Sequence, residues 1–338
     1  MQNTTLTYGK SINKGLEKAL SNERVCLLGE DICDPYGGAF KVTKGLSSKY
    51  PERVINTPIS ESAITGLAAG LSLRGLRPVL EIMFGDFLSI AFDQILSNIS
   101  KFSWIYNGQV SVPIVIRTPV GGRRGYGPTH SQSTEKFFFG IPGIKIVAPS
   151  ILHEPGKLLL NSIKENNPVI FIEYKTDYPK SLLKSEDGMI DEWLIKQQNE
   201  CYPTIALSPT DFEDDQLTVI TYGGMFSIVL DAMKKLLYEH EITSEIIIPS
   251  LIKPFKIDRY IYSSILKTGK VVIIEEGTLT NGWGAEVVSL ISEKCFEKIK
   301  APIRRIAALD LPIANSPVLE NIILPDSNRI IEVIKEML

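Results

Sequence analysis

Two side chains in this sequence stand where proton chemistry could take place, Glu61 and His130. Glu61 closes the loop Thr57-Pro58-Ile59-Ser60 and opens a helix carrying Ala63, Gly66, Ala68, Ala69 and Gly70. Ser60 is a good N-cap, and a carboxylate in the first helical turn is favoured by the helix dipole. So many small residues lower helix propensity and point to close packing against another backbone or a ligand. Local pattern leaves two readings open: an acid decorating a helix start, or a fixed, partly buried carboxylate aimed at a ligand nitrogen. His130 is one of three histidines and follows a stretch with four glycines in seven residues, Gly121 to Gly127. Glycine lets backbone approach a ligand closely, and imidazole exchanges its proton near neutral pH. A lone histidine can equally be structural, and His153 and His240 read as surface or packing residues. Arg123 and Arg124 lie within the glycine stretch. A guanidinium pair there either meets a carboxylate or phosphate or forms a solvated loop tip.

The elements that must position these residues alternate. Helical spacing over Tyr8–Ser21 precedes a buried strand at Val25–Leu28, a turn-rich loop, a short helix from Phe40 to Tyr50 and a strand at Val54-Ile55. After the Glu61 helix come a strand at Pro78–Ile82, an amphipathic helix from Phe87 to Phe102 and a strand at Pro113–Arg117. A helix ending near Gly140, a strand at Ile144–Ala148, a helix around Pro155–Lys164 and a strand at Val169–Glu173 complete this half. Such alternation predicts a parallel sheet covered on both faces. Periodicity fades from Tyr174 to Gln216, where Pro179, Pro203 and Pro209 and the acids Asp211, Glu213, Asp214 and Asp215 read as a connection with some local structure. A second alternating set follows, with strands at Leu217–Thr221, Ile242–Ile248, Val271–Glu275 and Ile303–Ile306. Its helices span Phe226–His240, Asp258–Leu266, Gly284–Phe296 and Ser327–Met337. The expected organisation is two parallel-sheet α/β domains, residues 1–180 and 216–338, joined by a linker at 181–215.

Composition sets the bounds. The chain has 338 residues, enough for two ordinary domains, with 44% hydrophobic and 22% charged residues. A formal net charge of −3 gives no push toward nucleic acid or an anionic membrane. No apolar run approaches the ~20 residues of a spanning helix. The polar start MQNTTLTYGK and four cysteines without a CxxC pair fit a cytoplasmic protein with free thiols.

Several stretches, in family order and covering nearly the whole chain, resemble the beta subunit of the decarboxylating first component of 2-oxoacid dehydrogenase complexes. These are the pyruvate, branched-chain and acetoin types, which use thiamine diphosphate. The stretches are GEDICDPYGGAFKVTKGL, RVINTPISESAITGLAAG, LRGLRPVLEIMFGDF, FDQI, VPIVIRTPVGG, HSQSTEKFF, IPGIKIVAPS, ENNPVIFIE, VVIIEEG, GWGAE and LPDSNRIIEVIKE. The resemblance implies a thiamine diphosphate pyrimidine-binding domain followed by a transketolase C-terminal-like domain. It implies that Glu61 hydrogen-bonds the aminopyrimidine nitrogen opposite the amino group. Sharing a proton there makes the amino group basic enough to deprotonate the thiazolium carbon. It implies further that His130 handles protons near the reacting carbon and helps pass the acyl group to a lipoyl arm, and that Met83 and Phe87 wall the aminopyrimidine. Some members hold a potassium ion near the ENNP turn, mostly on backbone oxygens. The matching positions are Ile114, Ser162, Ile163, Glu165 and Asn167.

The family pattern is also incomplete here. Thiamine diphosphate enzymes hold the diphosphate through magnesium with a GDG…N pattern. The nearest string in this chain, Glu186-Asp187-Gly188, lies in the linker and lacks the Asn. This chain is therefore expected to bind the pyrimidine half only. An alpha subunit would supply magnesium and the diphosphate half in an assembly of two alpha and two beta chains. Pyruvate or a related 2-oxoacid would be the substrate, and a lipoyl-bearing acyltransferase the acceptor. Two departures leave room for a ketolase or acyloin-forming transferase: Ile248-Pro-Ser-Leu251 replaces an Asp-Leu-Arg-Thr segment, and Tyr174 and Asp177-Tyr-Pro179 replace a Pro and Leu-Tyr-Arg. Both are expected to lie away from Glu61 and His130.

Overall fold

The computed structural model describes residues 6–184, 188–198, 200–210 and 215–338. Fourteen strands form two seven-stranded sheets. In chain order they are β1 (Val25–Gly29), β2 (Val54–Asn56), β3 (Arg77–Glu81), β4 (Val115–Val120), β5 (Lys145–Val147), β6 (Val169–Tyr174) and β7 (Met189–Ile190). Then follow β8 (Trp193–Gln197), β9 (Thr204–Pro209), β10 (Leu217–Thr221), β11 (Ser244–Pro249), β12 (Leu251–Lys253), β13 (Val271–Thr278) and β14 (Arg304–Ala308).

The first sheet runs β12-β5-β6-β4-β3-β1-β2, and all its strands are parallel except β12. Its central strands are buried along their length and mostly apolar, as expected where both faces are covered, with Arg117 and Thr118 on β4 and Glu173 on β6 as exceptions. One row of partners, Asn56–Gly29–Glu81–Arg117, crosses β2, β1, β3 and β4. The carboxyl ends of these four strands are therefore level, and the segments that follow them share one edge. Outside the carboxyl ends of parallel strands is where open α/β sheets take ligands.

Helices Tyr8–Leu20 and Pro155–Lys164 cross at Gly15 and Gly156. A Cβ on Gly15 would lie 2.7 Å from the Gly156 carbonyl oxygen, so no larger residue fits that crossing. Under the sheet edge lies a buried ion triad. Arg117 donates through Nε and Nη2 to the two oxygens of Glu173, at 2.7 and 2.8 Å, and through Nη1 to Glu81 at 2.5 Å. The Tyr178 hydroxyl donates to Glu173 at 2.8 Å. Burial opposes the Arg117 charge, and the two carboxylates overcome it, so its pKa is raised.

Several expectations change. Both sheets are mixed. The 181–215 segment contributes β7, β8 and β9, which extend the second sheet antiparallel in the order β14-β13-β10-β11-β9-β8-β7. Of its acids, Asp211, Glu213 and Asp214 lie outside the described residues, as do Glu186 and Asp187 of the GDG-like string. Strand β12 crosses back to pair with β5 of the first sheet, Leu251 opposite Val147. Residues Phe40 to Tyr50 are helical only over Leu46–Lys49. Gly37, Gly38, Lys41 and Gly45 have positive φ there, and the Asp34 carboxylate accepts from Gly45 N, Ser48 N and the Ser47 and Ser48 hydroxyls. These local bonds compete with the helical ladder.

The amphipathic stretch Phe87–Phe102 breaks into a 3-10 turn over Gly85–Ser89, a π-helix over Gln94–Ile99 and a helical turn over Phe102–Ile105. The apolar spacing still buries Ile95 and Ile99. The wider turn brings the Gln94 carboxamide against Gly66 of the Glu61 helix, where a Cβ would lie 3.1 Å from Gln94 Oε1. The helix before Gly140 is a 3-10 turn over Glu135–Phe138, and a further helix, not among those expected, spans Pro317–Ile323. The remaining helices fall within a few residues of expectation, with Ser327–Met337 unchanged.

Candidate active site

Each segment leaving the level edge of the first sheet brings one part of the site. Glu30 follows β1 and Glu61 follows β2. Ser60 occupies the N-cap position, but its hydroxyl caps nothing. Instead its N–H donates to Glu30 Oε1 at 3.1 Å, which fixes the entry to the helix Glu61–Leu73. Both carboxylates are buried, Glu30 to 5% and Glu61 to 6% exposure. Burial, with the adjacent Glu61 charge, pushes the Glu30 pKa up. Among the described residues, no donor of the chain reaches the Glu61 carboxylate. Its oxygens keep contact with the surface, where a donor from outside the chain can reach them.

The segment after β3 supplies apolar walls. Met83, Phe84 and Phe87 are half-buried. Gly85 allows the turn to lie flat on β4, since a Cβ there would fall 2.6 Å from Val120 Cγ1. The Thr134 hydroxyl donates to the Gly85 carbonyl at 3.0 Å. This turn meets the segment that follows β4, which carries His130. The imidazole lies edge-on between two rings, 4.6 Å from Phe84 and 5.2 Å from Phe87 between centroids. Its Nδ1 shares a 2.9 Å hydrogen bond with the Thr129 hydroxyl. Across β2, β1, β3 and β4 the Glu61 and His130 segments start three strand spacings apart, about 14 Å at ~4.8 Å each.

Gly121, Arg123, Gly125 and Gly127 all have positive φ. The glycine stretch is a seam rather than a free loop. Gly122 N donates to Glu276 Oε1 at 2.8 Å, and Arg123 N to Glu320 Oε1 at 2.6 Å. The Arg123 guanidinium donates to the Pro325 carbonyl at 2.6 Å and lies 3.8 Å from Glu276. Arg123 is thus engaged by the C-terminal half, whereas Arg124 is exposed, 5.9 Å from the Tyr126 ring. The Tyr174–Pro179 stretch, expected to lie away from His130, borders it, because Lys175 Nζ donates to the His130 carbonyl at 2.8 Å.

At the ENNP turn, backbone oxygens converge. Arg77 Nη1 donates to the carbonyls of Ile163 and Glu165, both at 2.8 Å, and Nη2 donates to Asn166 Oδ1. The Ile114 carbonyl accepts from Val169 N at 2.9 Å, and the Ser162 carbonyl from Glu165 N at 3.2 Å. Asn167 lines a neighbouring cavity with Trp104 and Gly143. Among the described residues, no group of three or more His, Cys, Asp or Glu side chains is arranged to hold a metal ion. His153 is buried, takes Ser150 N on its Nδ1 and has its pKa pushed down to about 4 by burial. His240 is exposed. The four cysteines are free: Cys26 and Cys295 buried, Cys33 half-buried and Cys201 exposed.

The family model described as "Transketolase, pyrimidine binding domain" matches residues 4–181, and "Transketolase, C-terminal domain" matches residues 209–330. The chain is 34% identical over 348 residues to the acetoin:2,6-dichlorophenolindophenol oxidoreductase subunit beta of Bacillus subtilis (strain 168), covering 98% of this chain and 97% of that one. It is 37% identical to a pyruvate dehydrogenase E1 component subunit beta of Porphyra purpurea, covering 95% and 92%. It is 34% identical to the mitochondrial 2-oxoisovalerate dehydrogenase subunit beta of Dictyostelium discoideum, covering 97% and 85%. The chain belongs to the beta subunits of the thiamine diphosphate-dependent 2-oxoacid dehydrogenases. The fold of this beta subunit is shared with a solved "Split gene transketolase, inactive beta4 tetramer", at a TM-score of 0.75 and 20% identity over 98% of both chains.

The donor set of this beta subunit fits one half of that cofactor. An unpartnered buried carboxylate and a wall of Met83, Phe84 and Phe87 suit a flat nitrogen heterocycle. Glu30, Phe84 and Lys175 escaped the sequence reading. Glu30 had a usable signal, an acid immediately after an apolar strand. Phe84 and Lys175 had none, because their roles depend on which strands become neighbours. No helix among the described residues is long and apolar enough to cross a membrane.

Proposed function

We propose that this beta subunit acts with an alpha subunit, as two alpha and two beta chains, to decarboxylate pyruvate or a related small 2-oxoacid and to transfer the acyl group to a lipoyl-bearing acyltransferase core. The observation that carries the reading is the buried, unpartnered Glu61 carboxylate, on the same sheet edge as a histidine fixed between two aromatic rings. Thiamine diphosphate supplies the acidic carbon and the electron sink for decarboxylation. Glu61 would accept the hydrogen bond of the pyrimidine nitrogen and share its proton, with Met83 and Phe87 excluding water from the ring. His130, its Nδ1 engaged by Thr129, would present Nε2 to the substrate and move protons there.

The magnesium ion and the diphosphate belong to the alpha chain in this reading. Ile114, Ser162, Ile163, Glu165 and Asn167 would hold a potassium ion mostly through backbone oxygens, of which those of Ile163 and Glu165 also accept from the Arg77 guanidinium. The free thiols suit a cytoplasmic setting. Co-expression with an alpha partner tests the proposal. Acylation of a lipoyl domain in the presence of a 2-oxoacid is expected. Formation of a carbon–carbon product without lipoyl acylation would instead assign a ketolase or acyloin-forming activity.

A further inference from the structure

Lys175 is among the largest fully buried side chains of the chain, with 0% exposure. A lysine in that position is unusual, since an ammonium loses strong hydration on burial. No carboxylate is salt-bridged to it among the described residues. Its hydrogen bond runs 2.8 Å to the His130 carbonyl, and its Nζ lies 5.5 Å from the centre of the Phe84 ring. That same ring packs edge-on against the His130 imidazole. The ammonium therefore touches the histidine twice, directly at the backbone and indirectly through the ring. The turn is tied from the other side as well. Gln132 Nε2 donates to Asp86 Oδ1 at 2.9 Å, and Asp86 sits in the turn that carries Phe84 and Phe87.

We infer that Lys175 is a positioning residue for His130, its buried ammonium holding the turn that presents the imidazole. The inference rests on the catalytic reading of His130 and adds what holds that residue in place. A charge-assisted bond to a carbonyl is roughly twice as strong as a neutral one, and a cation over a ring adds to it where water is excluded. A neutral amine keeps the donor but loses both of those gains.

The surroundings set where that loss occurs. Burial pushes the Lys175 pKa down to about 8, against the attraction of Glu276 on β13, Asp86 after β3 and Glu320 on the helix Pro317–Ile323. Arg124 of the glycine stretch lowers it further. The turn is thus held in its charged form below about pH 8 and relaxes as pH rises through that value.

The test uses the intact alpha–beta assembly with Lys175→Met, Lys175→Arg and, as reference, His130→Ala. Amide hydrogen exchange at neutral pH is expected to rise several-fold over residues 126–134 in Lys175→Met, with the Glu61–Leu73 helix unchanged. Turnover is expected to fall about 10- to 100-fold through kcat, with KM for the 2-oxoacid unchanged, the cost of misplacing a catalytic group by a fraction of an ångström. The wild-type alkaline limb near pH 8 should move upward in Lys175→Arg, whose guanidinium does not titrate there. Wild-type exchange in Lys175→Met, or an unmoved limb in Lys175→Arg, would overturn the inference. If Lys175→Met fails to assemble, the Lys175→Arg profile decides alone. Full turnover in His130→Ala would defeat the catalytic reading of that residue, while the exchange measurement would still judge whether Lys175 orders the turn.

Discussion

At the carboxyl edge of the first sheet, Glu61 is buried with no donor from its own chain. At the carboxyl end of β13 in the second sheet, Glu275 and Glu276 are equally buried and engaged. Glu275 Oε1 accepts Gly284 N at 2.8 Å, and Glu276 Oε1 accepts Gly122 N at 2.8 Å. The two sheets share a parallel core, and both place acids at strand ends. What separates them is hydrogen-bond satisfaction. In the second sheet the chain closes on its own carboxylates, Glu275 within its own half and Glu276 across to the glycine stretch. In the first it leaves one open at a fixed helix start. Glu61 thus keeps its carboxylate free for a donor from outside the chain, which is what the proposed pyrimidine contact requires.

The comparison is broken most severely at Glu61. Glu61→Ala is expected to abolish both lipoyl acylation and any carbon–carbon product while the alpha–beta complex still assembles. A loss of about 10²- to 10⁴-fold is the scale for a group that shares a proton in the reaction. Glu275→Gln keeps the acceptor to Gly284 and should retain most turnover. Equal losses in the two variants would erase the distinction between an open and a closed carboxylate.

A third type of buried acid, paired with a cation, sharpens the contrast. Arg117→Met leaves Glu81 and Glu173 buried without their partner and should lower unfolding stability by about 3–5 kcal/mol in denaturant titration. A loss under 1 kcal/mol would show the triad to be dispensable.

The closed edge should also report itself through pH. Burial first, and Glu135 nearby, push the Glu275 carboxyl up to about 7. A group held above its ordinary value stabilises fully below about pH 4.5, and that contribution is lost as pH rises through about 7. Thermal unfolding of wild type should therefore weaken relative to Glu275→Gln between pH 5 and 8, by on the order of 3 kcal/mol. Parallel pH curves for the two proteins would contradict the assignment. At the smallest end, Lys157→Ala removes an exposed 3.7 Å pair with Glu154 and should change stability by less than about 0.5 kcal/mol.

Much of the architecture was legible because apolar strands and capped helices announce themselves locally. Strand β10 sits at its expected bounds, and the helix Pro155–Lys164 begins at its proline. The misreadings have physical causes. Three short strands lie hidden in the 181–215 segment because β8 buries only Trp193 fully, so its alternation is weak. The helix expected over Phe87–Phe102 fails because packing at Gly66 rewards a widened turn that no propensity scale registers. Glu61 and His130 were legible through their motifs. Phe84 and Lys175 were not, because the sheet edge brings them together from segments far apart in the chain, whereas Glu30, an acid just after an apolar strand, was legible but overlooked.

The central claim is that this chain holds the nitrogen ring of the cofactor through Glu61 while a partner chain holds its charged tail. Calorimetric titration of thiamine diphosphate with magnesium tests it most directly, comparing the chain alone with the chain joined to its alpha partner. The account predicts no tight binding by the chain alone and saturable binding by the pair that weakens in Glu61→Ala. Tight magnesium-dependent binding by the chain alone, or binding by the pair that ignores Glu61, would contradict it.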